Sequence, residues 1–222
     1  MKLRFDDAIV EAYPGEGAGL PLVLFHTFGN EGRDVWAACR ELGVPPCHGA
    51  AVSVERWEDT LSPWRAERAF RGGADFGCGA DDHVRALEAR ILPELRAALD
   101  APDAPCYIAG YSFAGLFALY ALYRTDAFAG AASVSGSLWF PGFLDFARSA
   151  EKKRRPRRLY LSLGDREGRA KNPRLATVEA ATRGFYAHCA TQGVDCLFEM
   201  NPGNHFAEPN LRLAKGIRWM LM

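Results

Sequence analysis

Ser112 sits in Gly110-Tyr111-Ser112-Phe113-Ala114-Gly115, with glycine two residues before it and alanine two after. The apolar run Cys106-Tyr107-Ile108-Ala109 leads into it, and the apolar stretch Phe113 to Tyr123 leads away. A strand that turns into a helix over so few residues needs small neighbours on both sides, or side chains collide. Such a turn raises the hydroxyl above the sheet and aims the next residue's N–H at any oxyanion formed there. The chemistry is nucleophilic attack on a carbonyl. Eight serines in a chain rich in glycine and alanine make the local pattern cheap. Its weight therefore comes from the strand–turn–helix setting, against the alternative of a plain serine N-cap.

A serine hydroxyl needs a base, and the base needs an acid to orient it. In a site of this kind both follow the serine along the chain, the acid first, each in a loop after a later strand. Of five histidines only His188 and His205 lie beyond Ser112. His188 falls inside a helical pattern, whereas His205 lies in the loop Asn201-Pro202-Gly203-Asn204-His205-Phe206, where a general base belongs. Two carboxylates occupy the loop Gly164-Asp165-Arg166-Glu167-Gly168. Glu167 is the first choice for the acid; Asp165 is the alternative, or a cap of the loop. An oxyanion hole also needs an amide from an early loop, and His26-Thr27-Phe28-Gly29 supplies one. The backbone N–H groups of Phe28 and Phe113 are the nominated donors, with Thr27 as the fallback.

The elements that must hold these residues alternate. Short apolar strands are expected over Leu20 to Phe25, Gly49 to Val54, Cys106 to Ala109, Ala129 to Val134, Arg158 to Leu163 and Val194 to Met200. Helical patterns run from Asp81 to Leu99 with a kink or restart at Pro93, over Phe113 to Tyr123, Pro173 to Gln192 and Pro209 to Leu221. This order predicts an α/β fold: a mostly parallel central sheet with helices on both faces, in three layers. The irregular stretch Glu55 to Ala80 carries Trp57, Trp64, Phe70 and Phe76. Together with Trp139 these aromatics either line a substrate pocket or anchor the loop to the core, with Trp139 favoured for the pocket. The basic run Arg148 to Arg158 reads as a solvated helix end or loop, with an anion-binding patch as the sharper alternative.

Composition narrows the partners. The 222 residues are 49% hydrophobic, and 27 basic side chains balance 27 acidic ones. That excludes low-complexity disorder and argues against a nucleic-acid or membrane-surface binder. Two uncharged runs, Ala104 to Tyr123 and Ala127 to Leu144, approach the length of a membrane span. Gly110 and Gly115 divide the first into a strand and a buried helix, so no membrane partner is expected. The N-terminus has no secretory pattern and six scattered cysteines suit free thiols, which points to the cytoplasm. No cofactor or metal is expected, since no phosphate-binding glycine loop or metal-ligand spacing is present. The partner expected is a small-molecule ester, and the oligomeric state is open.

The segment Gly110 to Tyr120, then Phe128-Ala129-Gly130 and Ser135-Gly136-Ser137-Leu138-Trp139, resembles the esterase D and enterochelin-esterase-like branch of the α/β-hydrolases. Gly164-Asp165-Arg166-Glu167 and Gly203-Asn204-His205 resemble that branch's acid and histidine segments, and the likeness extends over Leu20 to Leu221. It implies one α/β-hydrolase domain over residues 1–222 and a Ser–acid–His carboxylesterase. Members of the branch act on siderophore lactones, S-formylglutathione or feruloyl esters. The chain departs from it in reading Phe113-Ala114 after the serine and His-Thr-Phe-Gly after the early strand, which leaves the substrate open. An acyltransferase with the same triad, or a non-catalytic binding protein on the same fold, are the alternative functions.

Overall fold

The computed structural model describes residues 1–69 and 72–222, so Phe70 lies outside the described residues. The strands are β1 (Lys2–Arg4), β2 (Ala8–Tyr13), β3 (Leu22–His26), β4 (His48–Val54), β5 (Cys106–Tyr111), β6 (Phe128–Val134), β7 (Arg158–Gly164) and β8 (Asp195–Asn201). They form an eight-stranded sheet in the order β1-β2-β4-β3-β5-β6-β7-β8. The pairs β1–β2 and β2–β4 are antiparallel, and every later pair is parallel.

The helices are α1 (Gly32–Glu41), the single turn α2 (Trp57–Thr60), α3 (Ala80–Ala86), α4 (Leu92–Ala98), α5 (Phe113–Arg124), α6 (Phe143–Ser149), α7 (Pro173–Ala176), α8 (Val178–Thr191) and α9 (Pro209–Leu221). Successive strand residues point to opposite faces, so Leu22 and Leu24 enter one apolar cluster while Val23 and Phe25 enter the other. On the first face these meet α3, α4, α5 and α8; on the second they meet α1 and α9. The three layers expected from the sequence are therefore present. A strand covered on both faces has no place for a charge, which accounts for the uncharged run through β5 and α5. Among the described residues no helix is long and apolar enough to cross a membrane.

Several elements differ from expectation. The β1–β2 pair and α1 were not anticipated, because α1 buries only Gly32, Val35 and Cys39 among many charges and β1 is three residues long. The helix expected from Pro173 to Gln192 is two: Asn172 caps α7, and the chain turns at Thr177 before α8 starts. Pro93 is the second residue of α4, preceded by a wide helical turn over Leu87–Ile91. A ring that clashes with the preceding turn and gives no N–H is accommodated there by that looser geometry.

At the carboxyl end of β3, His26 Nε2 lies 2.8 Å from His83 Nε2 of α3, with both rings buried and Phe117 packed against them. Burial depresses both imidazoles, His26 well below the usual range and His83 to about 4, the nearby Asp7 only partly offsetting it. The unfolded chain binds these protons near pH 6.5 and the folded chain does not. Stability is thus expected to fall as pH drops from 6.5 towards 4, by about 3 kcal/mol through His83 alone. Urea unfolding at pH 7, 5.5 and 4.5 checks this: His83→Gln, which keeps a hydrogen-bonding group, should flatten the slope, and an unchanged slope would contradict the assignment.

Candidate active site

The carboxyl ends of β3, β5, β6, β7 and β8 all open on one edge of the sheet, where ligands of parallel α/β folds bind. The loops there carry Phe28, Ser112, Ser135, Glu167 and His205 in turn. Ser112 holds φ 58° and ψ −121°, a conformation rare for a residue with a side chain. Its amide donates to Val134 and its carbonyl accepts from Gly115 and Ser137, so the turn is clamped to β6. The neighbouring glycine is obligatory: a Cβ on Gly110 would come within 2.3 Å of the Ala114 backbone.

His205 Nε2 lies 3.0 Å from Ser112 Oγ, and His205 Nδ1 lies 2.8 Å from Glu167 Oε2. A carboxylate only accepts, so Nδ1 carries the proton and Nε2 presents its lone pair to the serine hydroxyl. Burial pushes the Glu167 carboxyl up, but hydrogen bonds from His205, Ser135 and the Gly164 amide outweigh it and hold the group below its usual range. Glu167 is thus a buried carboxylate facing the histidine. Asp165 has another place: its Oδ1 accepts the Gly203 N–H at 2.9 Å, tying the two loops together.

The amides nominated for an oxyanion separate here. The Thr27 N–H is spent on the Val52 carbonyl at 2.9 Å, which removes the fallback donor. Phe28 N–H and Phe113 N–H, the latter at the first position of α5, make no hydrogen bond among the described residues. Phe113 directly follows Ser112 in the chain, and Phe28 lines the same cavity as Ser112.

Two cavities meet at Ser112 and His205. One, of about 300 Å³, is lined by Phe28, Trp57, Val35, Leu213 and Phe206, with Glu31 at its side. The other, of about 330 Å³, is lined by Trp139, Leu175, Val178 and Ser137, with Arg166 and Arg169. Phe28 and Phe206 are 69% and 82% exposed at the mouth. Of the loop aromatics, Trp57 lies against Phe28 in the first cavity and Trp139 lines the second. Trp64 does not reach either. It packs on Tyr120, Phe140 and Phe146 and donates its indole N–H to Pro141, so it anchors the loop. Phe76 is likewise buried, stacked on Phe113. The basic run Arg148 to Arg158 leads into the amino end of β7, at the opposite edge of the sheet from Ser112.

Sequence reasoning missed Tyr111, Ser135 and Arg212. Arg212 of α9 is buried, and its guanidinium meets Glu167 Oε1 at 3.3 Å, Tyr111 Oη at 3.1 Å and Ser135 Oγ. The Tyr111 hydroxyl in turn donates to the His205 carbonyl. One signal was available: Arg212 falls in register with the buried Gly216 and Met220, four and eight residues on. Since loss of a cation favours protonated neighbours, Arg212→Met is expected to cost about tenfold in kcat/KM and move the acid limb of its pH profile upward. The profile distinguishes this from simple loss of fold, because Arg212→Lys should return the limb towards its original position.

These features define an α/β-hydrolase of the serine type: the elbow, the Ser–His–carboxylate line and two free amides at the carboxyl edge of a mostly parallel sheet. Residues 36–208 match the Esterase family model, described as Putative esterase, and the chain belongs to that family of carboxylic ester hydrolases. Solved structures agree on the fold. An IroE-like serine hydrolase from Shewanella oneidensis superposes with a TM-score of 0.79 at 16% identity, over 96% of this chain and 75% of that one. The siderophore hydrolase EstA from Aspergillus nidulans gives 0.71 at 18% identity, over 96% and 89%. The enterobactin esterase FES from Shigella flexneri gives 0.74 at 18% identity, over 99% of this chain and 58% of that one. No curated protein matches the sequence.

Proposed function

We propose that Ser112, His205 and Glu167 are the nucleophile, general base and orienting acid of this esterase, acting on a small-molecule ester whose two halves occupy the two cavities. The observation that carries the reading is the hydrogen-bonded line from Ser112 Oγ through His205 to Glu167, at 3.0 and 2.8 Å. His205 Nε2 takes the Ser112 proton as Oγ attacks the ester carbon, and the carbonyl oxygen becomes an oxyanion between the Phe28 and Phe113 amides. Glu167 stabilises the imidazolium without taking its proton. The C–O bond to the alcohol then breaks, the alcohol leaves with the proton from His205, and the acyl group stays on Ser112. Water enters, gives a proton to His205 and attacks the acyl carbon. Collapse releases the acid and returns the proton to Ser112.

Two cavities of about 300 and 330 Å³ suit substituents of modest size on each side of the scissile bond. The names of the structural neighbours, siderophore hydrolase and enterobactin esterase, support a small-molecule ester as the substrate class. Hydrolysis of a series of neutral p-nitrophenyl esters of increasing acyl length tests the reading. Turnover of at least one member is expected, and inactivity across the series would contradict it.

A further inference from the structure

The two cavities differ in charge. Among the described residues, the charged side chain lining the Phe28–Trp57 cavity is the carboxylate of Glu31. The Trp139 cavity holds Arg166, Arg169 and Glu167. Glu167 does not cancel the arginines, because its two oxygens are filled by His205, Ser135, the Gly164 amide and Arg212.

The helical turn Glu167–Arg169 explains the arrangement. It is a tight 3₁₀ turn in which side chains three residues apart lie above one another. Arg166 and Arg169 are three apart, so they share one face, while Glu167 between them turns into the protein. Arg166 is weakly engaged: its Nε lies 3.9 Å from Asp165 Oδ1, an oxygen that already accepts the Gly203 N–H. Arg169 is exposed and has no hydrogen-bonding or charged partner for its side chain among the described residues. The carboxylate of Glu179, packed near Gly168, is paired with Arg183 at 2.9 Å. Arg166 and Arg169 thus line a cavity whose apolar wall includes Trp139, Leu175 and Val178. A planar fork matches a carboxylate in geometry as well as charge.

We infer that the Trp139 cavity recognises a carboxylate on the substrate, held by Arg166 and Arg169 away from the scissile carbonyl. The inference rests on the reading of Ser112 as nucleophile. It also sets direction, since Glu31 repels an anion from the other cavity. The substrate is therefore an ester with one anionic half and one neutral half, the neutral half lying among Phe28, Trp57 and Phe206.

Paired esters test it. One pair carries the charge on the acyl half, the mono-p-nitrophenyl ester of glutaric acid against its methyl ester. The other carries it on the alcohol half, 4-butyryloxybenzoate against its methyl ester. In one pair the carboxylate is expected to raise kcat/KM about five- to tenfold over the neutral partner, chiefly through KM and less so in high salt. Arg166→Gln/Arg169→Gln should abolish that preference. Equal or poorer turnover of the carboxylate in both pairs would overturn the inference, as would a preference that survives the double substitution. Turnover of the neutral esters by the unaltered protein separately reports on the esterase reading, so the two failures are distinguishable.

Discussion

Ser112→Ala is expected to lower ester turnover by at least ~10³-fold with little change in stability. The oxygen removed makes one hydrogen bond, to His205. The clamp on the turn runs through the Ser112 backbone, from Val134, Gly115 and Ser137, and alanine keeps it. The φ of 58° is strained for serine and alanine alike, so the fold is not relieved by the change. What disappears is the atom that bonds to the acyl carbon. Without it the Phe28 and Phe113 amides, in their proposed oxyanion role, would polarise a bound ester only for direct attack by water, which is the source of residual rate in such variants. Turnover within tenfold of the unaltered protein would place the nucleophile elsewhere.

Glu167→Gln carries the second large effect, a loss of about 10²- to 10⁴-fold in kcat. A carboxamide can present its N–H₂ to His205 Nδ1, which then carries the lone pair while Nε2 carries the proton. That tautomer cannot take the serine proton. The substitution also leaves the buried Arg212 without a counter-charge, at about 3–5 kcal/mol. The folded fraction is therefore measured by circular dichroism and the rate expressed per folded molecule. Asp165→Asn is the control: the side-chain oxygen still accepts the Gly203 N–H, and a loss below about fivefold is expected. A large loss from Asp165→Asn together with a small one from Glu167→Gln would exchange their roles.

The contrast between these two carboxylates shows what the sequence holds. Ser112 was legible because its turn is a local steric problem, solved by Gly110 and Ala114 within a few residues. His205 followed from order, since it alone of the downstream histidines sits in a loop after a strand. Glu167 and Asp165 share a loop, and what separates them is a 3₁₀ turn that carries one inward and leaves the other at the rim. Trp64 was left between pocket and core for a different reason. An aromatic residue in a long loop serves a pocket or the core according to tertiary contacts, and its neighbours Tyr120 and Phe146 are dozens of residues away. Arg212 was hidden because a lone arginine in an amphipathic helix reads as solvated, and its burial depends on Tyr111, Ser135 and Glu167 converging from three strand ends. The parallel strands were readable from their double burial. The β1–β2 pair was not, since its inward residues Ala8, Val10 and Ala12 alternate with Ile9, Glu11 and Tyr13 in no clean polar pattern.

The most direct test of the account is covalent. A fluorophosphonate probe reacts with a serine whose oxygen is activated by a base and beside which amide N–H groups donate to a phosphoryl oxygen. Incubation with the probe, digestion and peptide mass spectrometry should place one label on Ser112, blocked by Ser112→Ala and greatly slowed by Glu167→Gln. Absence of label on the folded protein, or its appearance on another serine, would contradict the assignment of Ser112, His205 and Glu167.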